Sequence, residues 1–217
     1  MHSDAVVFDL DGVLVDSEEI WEGARRALVE KHGLQYPPEA TRAIMGMSAP
    51  EWSHYLRERL GVPLEESDID AAVVARVAAA YREHLPLLPG AVACVRALAA
   101  HLPLAIASSS NRVLIELVLE LAGLADAFAA VVSAEEVSRG KPEPQVYLRA
   151  AELLKVAPAR CTAIEDSGNG IRSAHAAGMR VIALPNPHFP PDASALALAH
   201  VEVATLSAVP PAILNAG

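Results

Sequence analysis

The stretch Ala5-Val6-Val7-Phe8-Asp9-Leu10-Asp11-Gly12-Val13-Leu14-Val15-Asp16-Ser17-Glu18 decides how this chain is read. Its apolar start is too short for a helix and is led by valines, which predicts a strand buried on both faces. The run ends in Asp9 and Asp11, one residue apart, and then Gly12. Two carboxylates at the edge of a core repel each other and lose hydration unless a cation or donors stand beside them. The bare residues therefore suggest an anionic pocket at the carboxyl end of a strand, where open α/β sheets bind ligands. Asp-x-Asp-Gly alone also suits a plain turn. An EF-hand is a poor fit, because the first loop position would be Val7 and the segment before it is a strand.

Composition narrows the classes. The chain has 217 residues, 53% hydrophobic and only 4% aromatic, so short aliphatic side chains must fill its core. That length suits one domain, or one domain carrying a small insertion. The formal charge of −10 argues against nucleic acid as a partner. An anionic substrate would have to be drawn by local cations. Cys94 and Cys161 lie in apolar segments and read as reduced core residues rather than a disulfide. The start lacks the basic and apolar regions of a signal peptide, and no stretch is long and apolar enough to span a bilayer. The expectation is a cytoplasmic monomer with no membrane or nucleic-acid partner.

Along the chain, Ser17 to His32 predicts a helix with Ser17 as N-cap and Gly33 closing it. Residues 34–84 hold only helical patterns. Leu85-Pro86-Leu87-Leu88-Pro89-Gly90 reads as a returning linker. From Ala91 onward helices and short apolar strands alternate, which predicts a parallel sheet. Strands are expected at 104–107, 129–132, 161–164, 180–184 and 201–203. Three polar sites then fall at carboxyl ends of strands: Asp9/Asp11, Ser108 and Glu165/Asp166.

Taken in order, these strings resemble the four motifs of the haloacid dehalogenase-like hydrolase superfamily. Phe8-Asp9-Leu10-Asp11-Gly12 with Asp16-Ser17 is similar to the first. Ile106-Ala107-Ser108-Ser109-Ser110-Asn111 is similar to the second, Gly140-Lys141-Pro142 to the third, and Ile164-Glu165-Asp166-Ser167-Gly168-Asn169-Gly170 to the fourth. Singly each has a plainer reading: a serine run or Glu165-Asp166 can cap a helix, and Gly-Lys-Pro can be a turn. The resemblance implies a Rossmann-like parallel-sheet core, residues 1–15 and 87–217, with a small all-helical cap, 16–86, inserted after the first strand. It implies Asp9 as nucleophile, Asp11 as general acid and base, and Ser108 and Lys141 as phosphoryl-binding groups. It also implies Mg²⁺ on Asp9, the Asp11 carbonyl and Asp166, with Glu165 at or just behind the metal and Asn169 behind that.

The implied substrate is a small phosphorylated metabolite. Asp16-Ser17-Glu18-x-x-Trp21, Met45-Gly46-Met47 and Leu87-Leu88-Pro89-Gly90 are similar to the sugar and hexitol phosphatases of the superfamily. This makes Trp21, Gly46, Met47, Ser109 and Asn111 candidates for substrate contact, while cap packing explains Trp21 and the methionines equally well. β-Phosphoglucomutases share the four motifs but carry a histidine at the place of Trp21 and an arginine at that of Ala49. Phosphoglycolate phosphatases share the motifs too. A phosphate-binding module without activity would lack a motif residue, and none is missing.

Overall fold

A computed structural model describes residues 3–44 and 47–215. A six-stranded parallel sheet forms its centre, in the order β3-β2-β1-β4-β5-β6. The strands are β1 (Ala5–Phe8), β2 (Leu104–Ser108), β3 (Ala130–Ser133), β4 (Cys161–Glu165), β5 (Arg180–Ala183) and β6 (Val201–Glu202). All four β1 residues are buried, as a strand covered on both faces requires. Phe8 is in register with Ile106 on one side and Ile164 on the other. The chain runs outward from β1 through β2 to β3, then crosses back to place β4 on the other flank. β1 and β4 thus meet at the point where strand order reverses, and a crevice opens there beyond their carboxyl ends.

The two faces of the sheet are packed differently. Val6, Phe8, Ile106, Ile164 and Ile182 face one layer, where Phe8 meets Phe128 edge to face at 5.9 Å. Ala5, Ala105, Ala107, Ala163 and Ala183 line the other. That small-residue face receives Val146, Tyr147 and Ala150 of α7 (Gln145–Leu154) and Ile171 and Ala174 of α8 (Gly168–Ala176). Alanine on the sheet lets the helices approach closely, so the bulk of Tyr147 is buried completely in a chain poor in aromatics.

Among the described residues between β1 and α5 (Ala91–Ala99) lie four helices, α1 (Glu18–Lys31), α2 (Pro38–Ile44), α3 (Ala49–Glu58) and α4 (Glu66–Glu83). Trp52, Leu56, Ile69 and Tyr81 are buried among them. The outgoing and returning segments run side by side. Leu88 N donates to Leu14 O at 2.9 Å and Asp16 N to Pro86 O at 2.8 Å, and Val15 pairs with Leu87. Gly33 takes a positive φ of 71° just after α1, the conformation that favours glycine there.

Several local expectations are corrected. Ser17 precedes α1 but makes no side-chain cap bond; its hydroxyl donates to Asp11 Oδ1 at 2.5 Å. α8 starts at Gly168, where Ser167 Oγ accepts the Gly170 N–H at 3.1 Å and caps it. Ser167, not Glu165 or Asp166, is therefore the cap. The chain also forms α6 (Arg112–Leu121), the short α9 (Ala193–Leu196), capped by Asp192, and α10 (Val209–Leu214). Cys94 and Cys161 are free and buried, and among the described residues no helix is long and apolar enough to cross a membrane.

Candidate active site

The site grows from β1, β2 and β4 side by side. Backbone pairing carries Asp9 onto the sheet edge, its N–H donating to Ile164 O at 3.0 Å. Asp9 Oδ1 accepts from Leu10 N at 2.8 Å and faces Lys141 Nζ at 3.0 Å. Both contacts fall on one oxygen, which leaves Oδ2 for the cavity. Lys141 Nζ also lies 2.6 Å from Glu165 Oε1, which takes a second bond from the Tyr147 hydroxyl at 2.6 Å. Glu165 Oε2 accepts the Asp166 N–H at 3.1 Å and the Ser167 hydroxyl at 3.2 Å. Lys141, Glu165 and Asp166 are all buried.

Two glycines make room for this density of charge. A Cβ on Gly170 would stand 1.9 Å from the Glu165 carboxylate, and one on Gly12 would stand 1.9 Å from Asp166 Oδ2. Gly12 also has a φ of 75°. Only glycine satisfies both demands there.

Asp11 is held apart from that cluster. Its Oδ1 accepts from the Ser17 hydroxyl at 2.5 Å and the Trp21 indole at 3.3 Å. Its Oδ2 accepts from the Ser110 hydroxyl at 2.5 Å. Those donors aim the carboxylate at the side of the cavity away from Lys141. Ser108 Oγ is fully buried and accepts the Ser110 N–H at 3.0 Å.

The electrostatics call for a cation. Oxygens of Asp9, Glu165 and Asp166 lie within 4.8 Å of one another, with the Lys141 ammonium as their buried counter-charge. Burial, then repulsion from Glu165, pushes the Asp9 carboxyl up to about 8 despite Lys141. The same two causes hold Asp166 well above the carboxylate range. Burial works to discharge Lys141, but Asp9 and Glu165 outweigh it and keep the ammonium above its ordinary range. An oxygen-only set with excess negative charge fits a hard divalent cation. The Asp11 carboxylate lies outside the set, so only its backbone carbonyl remains to serve as a ligand.

Residues 3–178 match the family model for haloacid dehalogenase-like hydrolases. The chain belongs to that family. Hexitol phosphatase B of Escherichia coli (strain K12) is 35% identical over 211 residues, covering 94% of this chain and 92% of the relative. Fructose-1-phosphate phosphatase YqaB of Escherichia coli (strain K12) is 31% identical over 182 residues, 82% of this chain and 94% of the relative. The crystal structure of CbbY from Rhodobacter sphaeroides in complex with phosphate superposes with a TM-score of 0.85 at 27% identity, covering 94% and 95% of the two chains.

In this haloacid dehalogenase-like hydrolase the cavity is lined by Asp9, Asp11, Ser108, Ser109, Lys141 and Asp166, and also by Trp21, Met47 and Asn169. Glu165 stands behind it, and Gly46 lies outside the described residues. Asn111 is the exception among the candidates. Its amide does not line the cavity and instead donates to Asp70 on α4 at 3.1 Å and to Glu135 at 3.0 Å. In that position it braces α4 against the segment after β3. Sequence reasoning missed Ser110, Tyr147, Arg25, Trp52, Asn186 and Phe189. Ser110 had a signal, since a third consecutive hydroxyl after β2 needs a partner. The others sit on helices and a loop whose pattern spoke only of packing.

Proposed function

We propose that this chain is a Mg²⁺-dependent phosphatase of small phosphorylated metabolites, sugar or sugar-alcohol phosphates in particular, working through an aspartyl-phosphate. The observation that carries the reading is the pairing of Asp9, bridged to Lys141, with a separately held Asp11 on the same cavity edge. In this reading residues 1–15 and 87–217 are the core domain and 16–86 the cap. Hexitol phosphatase B and the fructose-1-phosphate phosphatase support the substrate class.

The chemistry follows from the geometry. Asp9 Oδ2 attacks phosphorus in line with the leaving oxygen, and a phosphorus–oxygen bond forms on Asp9 as the ester bond breaks. Asp11, protonated, gives its proton to the departing alkoxide; as carboxylate it then takes a proton from water. The resulting hydroxide attacks phosphorus and releases Asp9 and inorganic phosphate. Lys141 and Ser108 donate to the phosphoryl oxygens as charge develops. Asp9, Asp166 and the Asp11 carbonyl would hold Mg²⁺, with Glu165 beside them. Bound there, the cation would keep Asp9 ionised and offset its repulsion from a phosphoryl dianion. The Asp11 donors differ from the histidine pattern of the mutases, since Trp21 supplies an indole N–H.

Phosphate release from hexitol phosphates, hexose 6-phosphates, β-glucose 1-phosphate and phosphoglycolate, with Mg²⁺ and with EDTA, tests the reading. Metal-dependent release that falls by several orders of magnitude in Asp9→Asn is the expected outcome. Near-normal turnover in that variant, or conversion of β-glucose 1-phosphate to the 6-phosphate without release, would sink it.

A further inference from the structure

Arg25 of α1 is buried to 8% exposure, lines the cavity, and makes no ion pair among the described residues. Its Nε is buried without an acceptor. A charged donor left like this ordinarily costs free energy comparable to a lost charged hydrogen bond. What holds the guanidinium is aromatic. It lies 5.1 Å from the Trp21 ring centroid and 5.4 Å from that of Trp52, and the two rings meet edge to face at 6.1 Å. The buried Tyr36 hydroxyl stands beside the guanidinium and helps to keep it charged, though among the described residues neither it nor the Arg25 Nε has a partner at full hydrogen-bond geometry. Cation–π contact stabilises the charge but gives the in-plane Nε–H no acceptor.

The charges facing Arg25 say what could use them. The carboxylates of Glu18 and Asp11 are close enough to stabilise its charge. A second cavity shares Glu18, Asn186 and Phe189 with the first and is rimmed by Asp16, Glu19 and Glu22. Arg25 thus has carboxylates acting on it already, and the adjoining cavity, which also carries His188, is predominantly acidic. A second phosphate or a carboxylate on the substrate would meet Glu18 and that rim. A chain of hydroxyls would not: it can accept from Arg25, donate to Glu18, and lay its C–H faces on two indoles.

We propose that Arg25, walled by Trp21 and Trp52, is a specificity-determining residue that receives the hydroxyl oxygens of an uncharged polyhydroxylated tail on a monophosphate, while Glu18 turns bisphosphates away. The inference rests on the phosphatase reading and deepens it. Trp21 serves both parts, donating to Asp11 through its edge and supporting Arg25 with its face.

The test compares kcat/KM for a hexitol 6-phosphate, for fructose 1,6-bisphosphate and for p-nitrophenyl phosphate, which has no hydroxyl tail. Native protein is expected to prefer the hexitol monophosphate to the bisphosphate by tenfold or more. In Arg25→Gln the ratio of hexitol phosphate to p-nitrophenyl phosphate is expected to fall about 10- to 100-fold, the range of a charged hydrogen bond. Arg25→Lys should not restore the native ratio, because an ammonium lacks the flat fork of donors. Glu18→Gln, at a half-exposed position, should raise relative use of the bisphosphate several-fold and provides a second reading if Arg25→Gln does not fold. An unchanged ratio in Arg25→Gln, or native preference for the bisphosphate, overturns the proposal while leaving the phosphatase standing. Absence of hydrolysis of all three substrates by native protein overturns the phosphatase reading, and this proposal with it.

Discussion

Lys141 reaches Glu165 at 2.6 Å in the interior of the protein, and the same ammonium reaches Asp9 at 3.0 Å. One cation therefore joins two carboxylates of the acidic cluster, across three segments of chain. Removing it leaves Glu165 buried with hydrogen bonds but no counter-charge. Lys141→Met is expected to destabilise the protein by roughly 3–5 kcal/mol, the range for breaking one side of a buried pair. Urea denaturation in divalent-free buffer measures this, and a loss under about 1 kcal/mol would mean that the acidic cluster does not depend on Lys141.

The raised Asp9 carboxyl, about 8 against an ordinary 3.8, has a sign that can be tested. In metal-free protein the folded state holds a proton that the unfolded state has released between those two values. Stability is therefore fully present below about pH 4 and is lost as pH rises toward 8, by at most about 1.4 kcal/mol per pH unit for one group. Asp166 is shifted in the same direction and adds to the slope. Thermal melting in EDTA should show Tm falling over this window, and millimolar Mg²⁺ should flatten or reverse the fall. A Tm that rises from pH 5 to 8 in EDTA would contradict the assignment.

Ser110 holds Asp11 Oδ2 at 2.5 Å from the end of β2. In Ser110→Ala the carboxylate keeps Ser17 and Trp21 on its other oxygen but is free to turn. Turnover is expected to drop about tenfold, in keeping with one hydrogen bond to a charged group. KM and Tm should change little. A fall in Tm with unchanged kcat would make Ser110 a packing residue only.

Gly12→Ala and Gly33→Ala separate crowding from backbone strain. Both glycines have positive φ, 75° and 71°, but a Cβ on Gly33 meets nothing within 4 Å, whereas one on Gly12 enters the Asp166 carboxylate. Gly33→Ala should cost about 1 kcal/mol, the strain of the left-handed conformation alone. Gly12→Ala should lose activity by at least 100-fold and weaken Mg²⁺ binding, read by calorimetry. Equal effects would mean that the Gly12 contact relaxes at no cost.

Much of this was legible in one dimension because strand and motif coincide. β1 and β4 are short apolar runs ending in carboxylates, so the sequence located both the strands and the polar groups at their ends. Parallel pairing then sends every such end to the same edge. Asn111 shows where that logic fails. It follows Ser110 directly, yet the start of α6 turns its amide to Asp70, 41 residues away in sequence, rather than to the cavity. Ser17 fails similarly: it has every mark of an N-cap in sequence, yet its backbone is already helical at φ −98° and ψ −11°, its side chain accepts no N–H from α1, and its hydroxyl donates to Asp11.

By itself, then, the sequence determined the parallel α/β core, the helical segment after β1 and the polar groups at the carboxyl ends of the strands, since these depend on local periodicity and on side-chain type. Only the tertiary structure decided that Tyr147 supports Glu165, that Ser110 and Ser17 clamp Asp11, and that Arg25 lies between Trp21 and Trp52 with its Nε unsatisfied. Each of those relationships joins residues far apart in sequence or names a partner that the local pattern does not specify. They arise because burial removes water, and each polar group left inside must find a partner among whatever the fold has brought beside it.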